Sequence, residues 1–331
     1  MNTFRLALAV ALVSLAAPAS VHATAKFTSF MGGENCGEPA SIDGNYAALA
    51  DGRNGDLMYF DIAAGVNHRI GLKGSVASVK GTKFAFYGIG AEIGRIFVYD
   101  IPTAQVVDTG ITTARGRWTW GVPSRYFSGT YVAFVDSVDG HVKYYSLADG
   151  TIGDTGLPAT DDPTMDGNVV AAGDSFYDLA TGQTVVLETG ARLAVVARNV
   201  IAFLSASGEI KYRLIDSGQT FGTGMNGPEV FSTDGERIIG SYHGVHLEIA
   251  KPHPSSFLLF DISNRKLSDA GFTGCSDMSS CWVDISGRIV IYERWEGGTM
   301  DYSTGQVIYP PQDLNGDGVI GSDCVAGYTR I

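Results

Sequence analysis

Gly81–Gly110 reads GTKFAFYGIGAEIGRIFVYDIPTAQVVDTG, and Gly129–Gly156 repeats its cadence as GTYVAFVDSVDGHVKYYSLADGTIGDTG. Each stretch opens on Gly, runs through an alternating apolar strand and crosses a polar loop. An aromatic run then ends near an Asp, a Gly-bearing turn follows, and a last strand closes on Thr-Gly. The same order recurs over Gly44–Gly71, Gly167–Gly190, Arg198–Gly224, Gly235–Gly271 and Gly287–Pro310. The matching positions near the end of the third strand are Asp61, Asp100, Ser146, Asp178, Arg213, Asp261 and Asp301, spaced by 40 residues on average. That is the period of a four-stranded blade, a sheet that cannot bury both of its own faces and therefore stacks against neighbours around an axis. The expected fold is all-β: one seven-bladed β-propeller of four-stranded antiparallel blades over residues 26–311. Two tandem sandwiches would need irregular strand spacing and a Pro-rich or polar linker, and neither is visible. In each Asp-Ile/Leu turn the carboxylate is expected to accept turn amides while Gly supplies the positive φ.

Composition agrees. The 331 residues include 43 Gly, and 45% are hydrophobic against 18% charged. This is too apolar for disorder and too Gly-rich for a helical bundle. The net charge of −12 argues against nucleic acid as a partner, because phosphate binding needs a basic surface.

Residues 1–25, MNTFRLALAVALVSLAAPASVHATA, read as a signal peptide: Arg5 precedes an apolar stretch and Ala23-Thr24-Ala25 supplies the small residues for cleavage. The apolar stretch is shorter than the ~20 residues that span a bilayer, and Pro18 interrupts it. No later segment is long and apolar enough to span. The protein is thus expected to be secreted, periplasmic or extracellular, and monomeric. In an oxidising compartment the four cysteines are expected to pair, and four cysteines allow three pairings. The favoured one joins Cys275 to Cys281 and ties the chain ends through Cys36–Cys324. Their spacings do not form the paired CxxC units of a metal cluster.

The units resemble the TolB-type and related blades of bacterial β-propellers, in the cadence G-x-x-h-A-F … I-Y-x-Y-D-h-x-x-G over about residues 36–310. The resemblance implies the fold and, because propellers host many activities, no particular partner. The family's Ser-Pro-Asp-Gly opening is mostly missing, with Ser232-Thr233-Asp234-Gly235 coming close.

After the last repeat, Asp313-Leu314-Asn315-Gly316-Asp317-Gly318-Val319-Ile320 resembles the calcium loops of EF-hand, dockerin and thrombospondin type-3 modules. The resemblance implies Ca2+ held by the side chains of Asp313, Asn315 and Asp317 and by the Val319 carbonyl. Position 12 is Cys324, with Asp323 one residue early as the acidic ligand. Residues 312–331 are therefore expected to form a calcium-loop and disulfide tail that latches the ring. A single such loop gives no support for a cohesin partner.

Loops joining strand two to three, and strand four to the next blade, share one rim, the usual ligand face of a propeller. It is expected to display Asn54, Asp56, Glu92, Arg95, Asp139, His141 and Glu293-Arg294-Trp295-Glu296. The longest inter-blade loop adds Arg115, Arg117, Trp118, Trp120, Arg125 and Tyr126. Trp118, Trp120, Arg125, Tyr126 and Trp295 are candidate ligand-binding residues, since aromatic faces stack on sugars and Arg pairs with carboxylates. Core packing is the slightly favoured reading for Trp118 and Trp120, whose i, i+2 spacing suits one face of a first strand packed between blades. His243, His246 and His253, with Glu248, could coordinate zinc, but HxxH on an extended segment splits the two rings between faces, which favours an ordinary polar loop.

No nucleophile elbow, phosphate loop or sialidase box is present. The expected function is a non-catalytic binding module or scaffold that recognises a protein or glycan through its rim. The alternative is an acidic-polysaccharide lyase with His141 or His243 as base and Arg115 or Arg117 neutralising the uronate.

Overall fold

The computed structural model describes residues 28–33, 38–50, 54–113, 125–228, 230–242, 256–273, 283–295, 299–301, 306–309 and 324–331. It is a seven-bladed β-propeller. Blade 1 comprises Glu38–Asp43, Tyr46–Ala50, Asp56–Asp61 and Val66–Lys73, and blade 2 comprises Ser75–Lys80, Lys83–Tyr87, Arg95–Asp100 and Gln105–Thr112. Blade 3 has three strands, Tyr131–Val135, His141–Ser146 and Ile152–Pro158, and its innermost position is reduced to the bridge Phe127↔Val132. Blades 4, 5 and 6 are four-stranded and run over Thr164–Val186, Arg192–Asn226 and Val230–Thr273.

Burial falls from the axis outwards. The second strands carry the fully buried runs AALA (47–50), VAFV (132–135) and VIAFL (200–204), whereas the outermost Val66–Lys73 and Gln105–Thr112 are largely exposed. An inner strand is covered by neighbouring blades on both faces, so its sequence is a continuous apolar run instead of an alternation. Every blade interface holds apolar side chains: Leu57 and Phe84 between blades 1 and 2, Phe134 and Val170 in the cluster joining 2, 3 and 4, Phe176 and Phe203 between 4 and 5, Tyr212 and Phe260 between 5 and 6, Phe257 and Tyr292 between 6 and 7, and Ile291 and Phe60 between 7 and 1. Fully burying such a side chain contributes about 1.5–3 kcal/mol, which makes these interfaces the main stabilisation of the ring.

The Asp turns behave as their chemistry requires. Asp61 Oδ1 accepts Ala64 N–H at 2.9 Å, Asp178 Oδ1 accepts Ala180 N–H at 2.9 Å, and Asp261 Oδ1 accepts Ser263 N–H at 2.9 Å. The fourth residue after the Asp is left-handed: Gly65 in blade 1, but Ala104 and Arg265 in blades 2 and 6. In blade 5 the equivalent of Asp61 is Leu214, not Arg213, because Gly218 N–H bonds to the Leu214 carbonyl as Gly65 N–H does to Asp61.

Blade 7 differs from the sequence reading. Its strands are Val283–Ser286, Ile289–Trp295, Cys324–Arg330 and, outermost, Thr28–Gly33 from the start of the chain. The aromatic run around Asp301 is instead a separate hairpin, Thr299–Asp301 with Gln306–Tyr309. The local pattern of this hairpin matches a third and fourth strand, but long-range pairing with both chain ends takes those places. Cys324–Arg330, placed by the sequence in a tail after residue 311, is thus an interior strand of the last blade. The N-terminal strand closes the ring and covers an edge that would otherwise be open.

Candidate functional site

The connections between strands are strongly unequal on the two faces. Links from strand one to two and from three to four are tight turns such as 44–45, 81–82, 147–151 and 262–265. Links from two to three, and from four to the next blade, include residues 113–125, 243–255, 274–282 and 296–323. Antiparallel pairing sends all of the latter to one rim, so the longer connections leave and re-enter the sheets on a single face.

The innermost strands are stitched across blades two rungs at a time. Ser41 Oγ accepts Val79 N–H at 2.6 Å, and Asp43 Oδ2 accepts Gly81 N–H at 2.8 Å. Thr164 Oγ1 accepts Val196 N–H at 3.1 Å, and Asp166 Oδ2 accepts Arg198 N–H at 2.7 Å. Asp284 Oδ2 accepts Ile42 N–H at 2.9 Å, and Ser286 Oγ accepts Gly44 N–H at 2.9 Å. Residues i and i+2 share one strand face, so a short polar pair aimed at the next blade satisfies two of its amides. The signal is present in sequence as Ser41-Ile42-Asp43-Gly44, Thr164-Met165-Asp166-Gly167 and Asp284-Ile285-Ser286-Gly287. Sequence reasoning singled out Ser232-Thr233-Asp234-Gly235 and none of these three; there Asp234 Oδ1 accepts the Glu236 and Arg237 amides of its own turn, at 2.8 and 2.7 Å.

Charges meet on the axis. Asp284 of blade 7 is fully buried and accepts hydrogen bonds from Arg125 Nε at 3.0 Å and from Ile285 N–H at 2.9 Å, in addition to Ile42 N–H and the Ser232 hydroxyl. Arg125 belongs to blade 3, three places away in the ring, and also donates to the Ile285 carbonyl at 2.7 Å. Burial disfavours the Arg125 charge, but Asp284 outweighs it and the guanidinium is held above its ordinary range. Lys80 of blade 2 lies 2.9 Å from Asp166 of blade 4 and 3.3 Å from Asp43 of blade 1. These cations are neutralised internally, which makes the axis a structural tie.

The rim carries charges that are more exposed. Asp56 lies 3.6 Å from Arg69, Arg95 pairs with Glu92 and Asp108, and Lys211 lies 2.7 Å from Glu188. On blade 3, Lys143 pairs with Asp136 and, at 2.8 Å, with Asp139, while His141 Nδ1 is 3.4 Å from Asp154 Oδ2. Hydrogen bonds from Lys143 hold both Asp136 and Asp139 below the usual carboxylate range. Asp108 and Asp154 are aimed by one device. Each precedes Thr-Gly at a bulge in the outermost strand, and Gly110 and Gly156, at φ +71° and +69°, donate their N–H to it. The Thr109 and Thr155 hydroxyls donate to the Ile96 and Val142 carbonyls. Apolar tips stand beside these charges: Ile93 is 73% exposed and Val138 90% exposed, on the second-to-third loops of neighbouring blades.

Of the residues singled out in sequence, Asn54, Asp56, Glu92, Arg95, Asp139 and His141 stand on this rim. Arg125 and Tyr126 do not: Arg125 ties the axis, and Tyr126 is buried, stacks on Tyr87 and donates its hydroxyl to the Val76 carbonyl at 2.7 Å. Trp295 and Cys324 are placed as strand residues by backbone pairing. Arg115, Arg117, Trp118, Trp120, His243, His246, Glu248, His253, Cys36, Cys275, Cys281 and the loop residues Asp313, Asn315, Asp317, Val319 and Asp323 lie outside the described residues, as does the leader. Among the described residues no helix is long and apolar enough to cross a membrane. Asp284, Lys80, Asp166, Lys143 and Asp154 were not found from sequence, because strand pairing and blade stacking alone bring them to their partners.

No protein-family model and no curated protein matches the chain. Solved structures match it at the level of fold. The computationally designed Ika8 protein is 16% identical with a TM-score of 0.53, covering 92% of this chain and 99% of that one. A chain of the Mitotic Checkpoint Complex is 11% identical with a TM-score of 0.53, covering 100% and 99%. KlHsv2 with loop 6CD replaced by a Gly-Ser linker is 10% identical with a TM-score of 0.51, covering 82% and 96%.

Proposed function

We propose that this propeller is a binding module, a rigid ring that presents its loop-bearing rim to a protein or glycan partner. The observation that carries the reading is the inequality of the two faces: tight turns on one, and on the other the longer connections, half-exposed charges and the bare side chains of Ile93 and Val138. Binding groups concentrate on loops held by a rigid scaffold, and exposed aliphatics among polar groups suit a partner surface. The axis is a poor site by contrast, since Arg125 and Asp284 already satisfy one another. Secretion through the 1–25 leader and calcium held at Asp313, Asn315 and Asp317 belong to the same reading, as supports of an extracellular module.

A glycan array and an affinity capture, each run with the wild-type chain and with residues 115–123 replaced by Gly and Ser, test the proposal. Binding that is lost in the rim variant and kept in Asp149→Lys, a change in a turn of the opposite face, is the expected result. Loss in Asp149→Lys with retention in the rim variant overturns it. Release of unsaturated uronate from an acidic polysaccharide, read by absorbance, would replace it with the lyase reading.

A further inference from the structure

Blades 2 and 3 carry the same rim station with different chemistry. The first residue of the third strand is Arg95 in one and His141 in the other, and 13 residues later stands Asp108 or Asp154. The preceding loop supplies a second carboxylate, Glu92 or Asp139. In blade 2 the Arg95 guanidinium takes both Glu92 and Asp108, so the station holds its own cation. In blade 3 an imidazole stands in its place, and ligand atoms of Asp139, His141 and Asp154 all lie within 4.8 Å of one another. Lys143 is engaged with Asp136 and Asp139, which sets three carboxylates against one ammonium and leaves Asp154 Oδ2 facing the ring at 3.4 Å. We propose that Asp139, His141 and Asp154 form a rim site for a divalent transition-type cation, which replaces the guanidinium of the neighbouring blade. One nitrogen and two carboxylate donors suit Zn2+ and its neighbours, whereas Ca2+ takes oxygen ligands. The bulge amide of Gly156, donating to Asp154 Oδ1 at 2.7 Å, and the His141 N–H, donating to Asp139 Oδ1 at 2.9 Å, orient both carboxylates as outer partners of a metal centre do.

The test is calorimetric titration of Zn2+ into the chelator-stripped, untagged chain, alongside His141→Arg, Asp154→Asn and the triple variant His243→Ala/His246→Ala/His253→Ala. His141→Arg copies blade 2, so its melting temperature without metal serves as the folding control. The expected result is saturable binding by the wild-type chain and the triple variant, weakened roughly tenfold or more in His141→Arg and Asp154→Asn, since even outer-shell losses cost 10–100-fold. Wild-type affinity in a folded His141→Arg, abolition by the triple variant, or no binding up to about 1 mM, where weak extracellular-type metal sites still fill, overturns the proposal.

Discussion

Arg125 and Asp284, 159 residues apart in the chain, meet on the propeller axis with the Arg125 Nε 3.0 Å from Asp284 Oδ1. The same carboxylate accepts the Ile42 amide and the Ser232 hydroxyl, so one side chain joins blades 1, 3, 6 and 7. Breaking a buried pair from one side leaves the other charge uncompensated, at about 3–5 kcal/mol, while replacing both partners is milder. Asp284→Asn is therefore expected to be strongly destabilising and Asp284→Asn/Arg125→Met less so, in urea unfolding followed by tryptophan fluorescence. Equal loss in both variants would refute the ion-pair account.

The inter-blade stitch gives a second expectation. Thr164 is buried; its hydroxyl donates to the Ala194 carbonyl at 2.8 Å and accepts Val196 N–H. Thr164→Val keeps the shape and strands both backbone groups, which costs about 1–3 kcal/mol. Thr164→Ser retains the hydroxyl and should lose clearly less. Thermal unfolding of the two variants separates polar stitching from packing.

Ring closure rests on Thr28–Gly33 pairing with Cys324–Arg330. Deleting residues 26–33 exposes the edge of Cys324–Arg330, and an open strand edge recruits other chains. Light scattering should show the truncated protein associating at concentrations where the intact chain does not. An unassociated, equally stable truncation would contradict this role.

Turn carboxylates set the acid limit. The Ala64 amide holds Asp61 below its ordinary value of 3.8, and the Ser263 hydroxyl does the same for Asp261. Because the folded values are depressed, their contribution is present above the unfolded value and is lost as pH falls through the folded one. Stability should therefore decline below about pH 4, and Asp61→Asn, which keeps an acceptor oxygen but does not titrate there, should flatten that decline. Denaturant midpoints at pH 3 and pH 6 measure the difference.

Much of this was legible in the residues. The 40-residue cadence and the Asp turns are local patterns, and they determine a ring of seven blades. Local pattern also misled. The hairpin around Asp301 has the look of a third and fourth strand, yet pairing with Cys324–Arg330 and Thr28–Gly33 takes those places. Arg125 and Tyr126 read as rim groups because they follow a long loop, whereas the structure seats them inside.

The sequence by itself determined the repeat, the four-strand order of blades 1, 2, 4, 5 and 6 and the charge of the chain, because each depends on neighbours within about 40 residues. Tertiary structure alone decided which strands close the ring, which charges cancel on the axis and which meet half-exposed on the rim. Those outcomes depend on contacts between residues tens to hundreds of positions apart, where the geometry of stacking around an axis selects the partner.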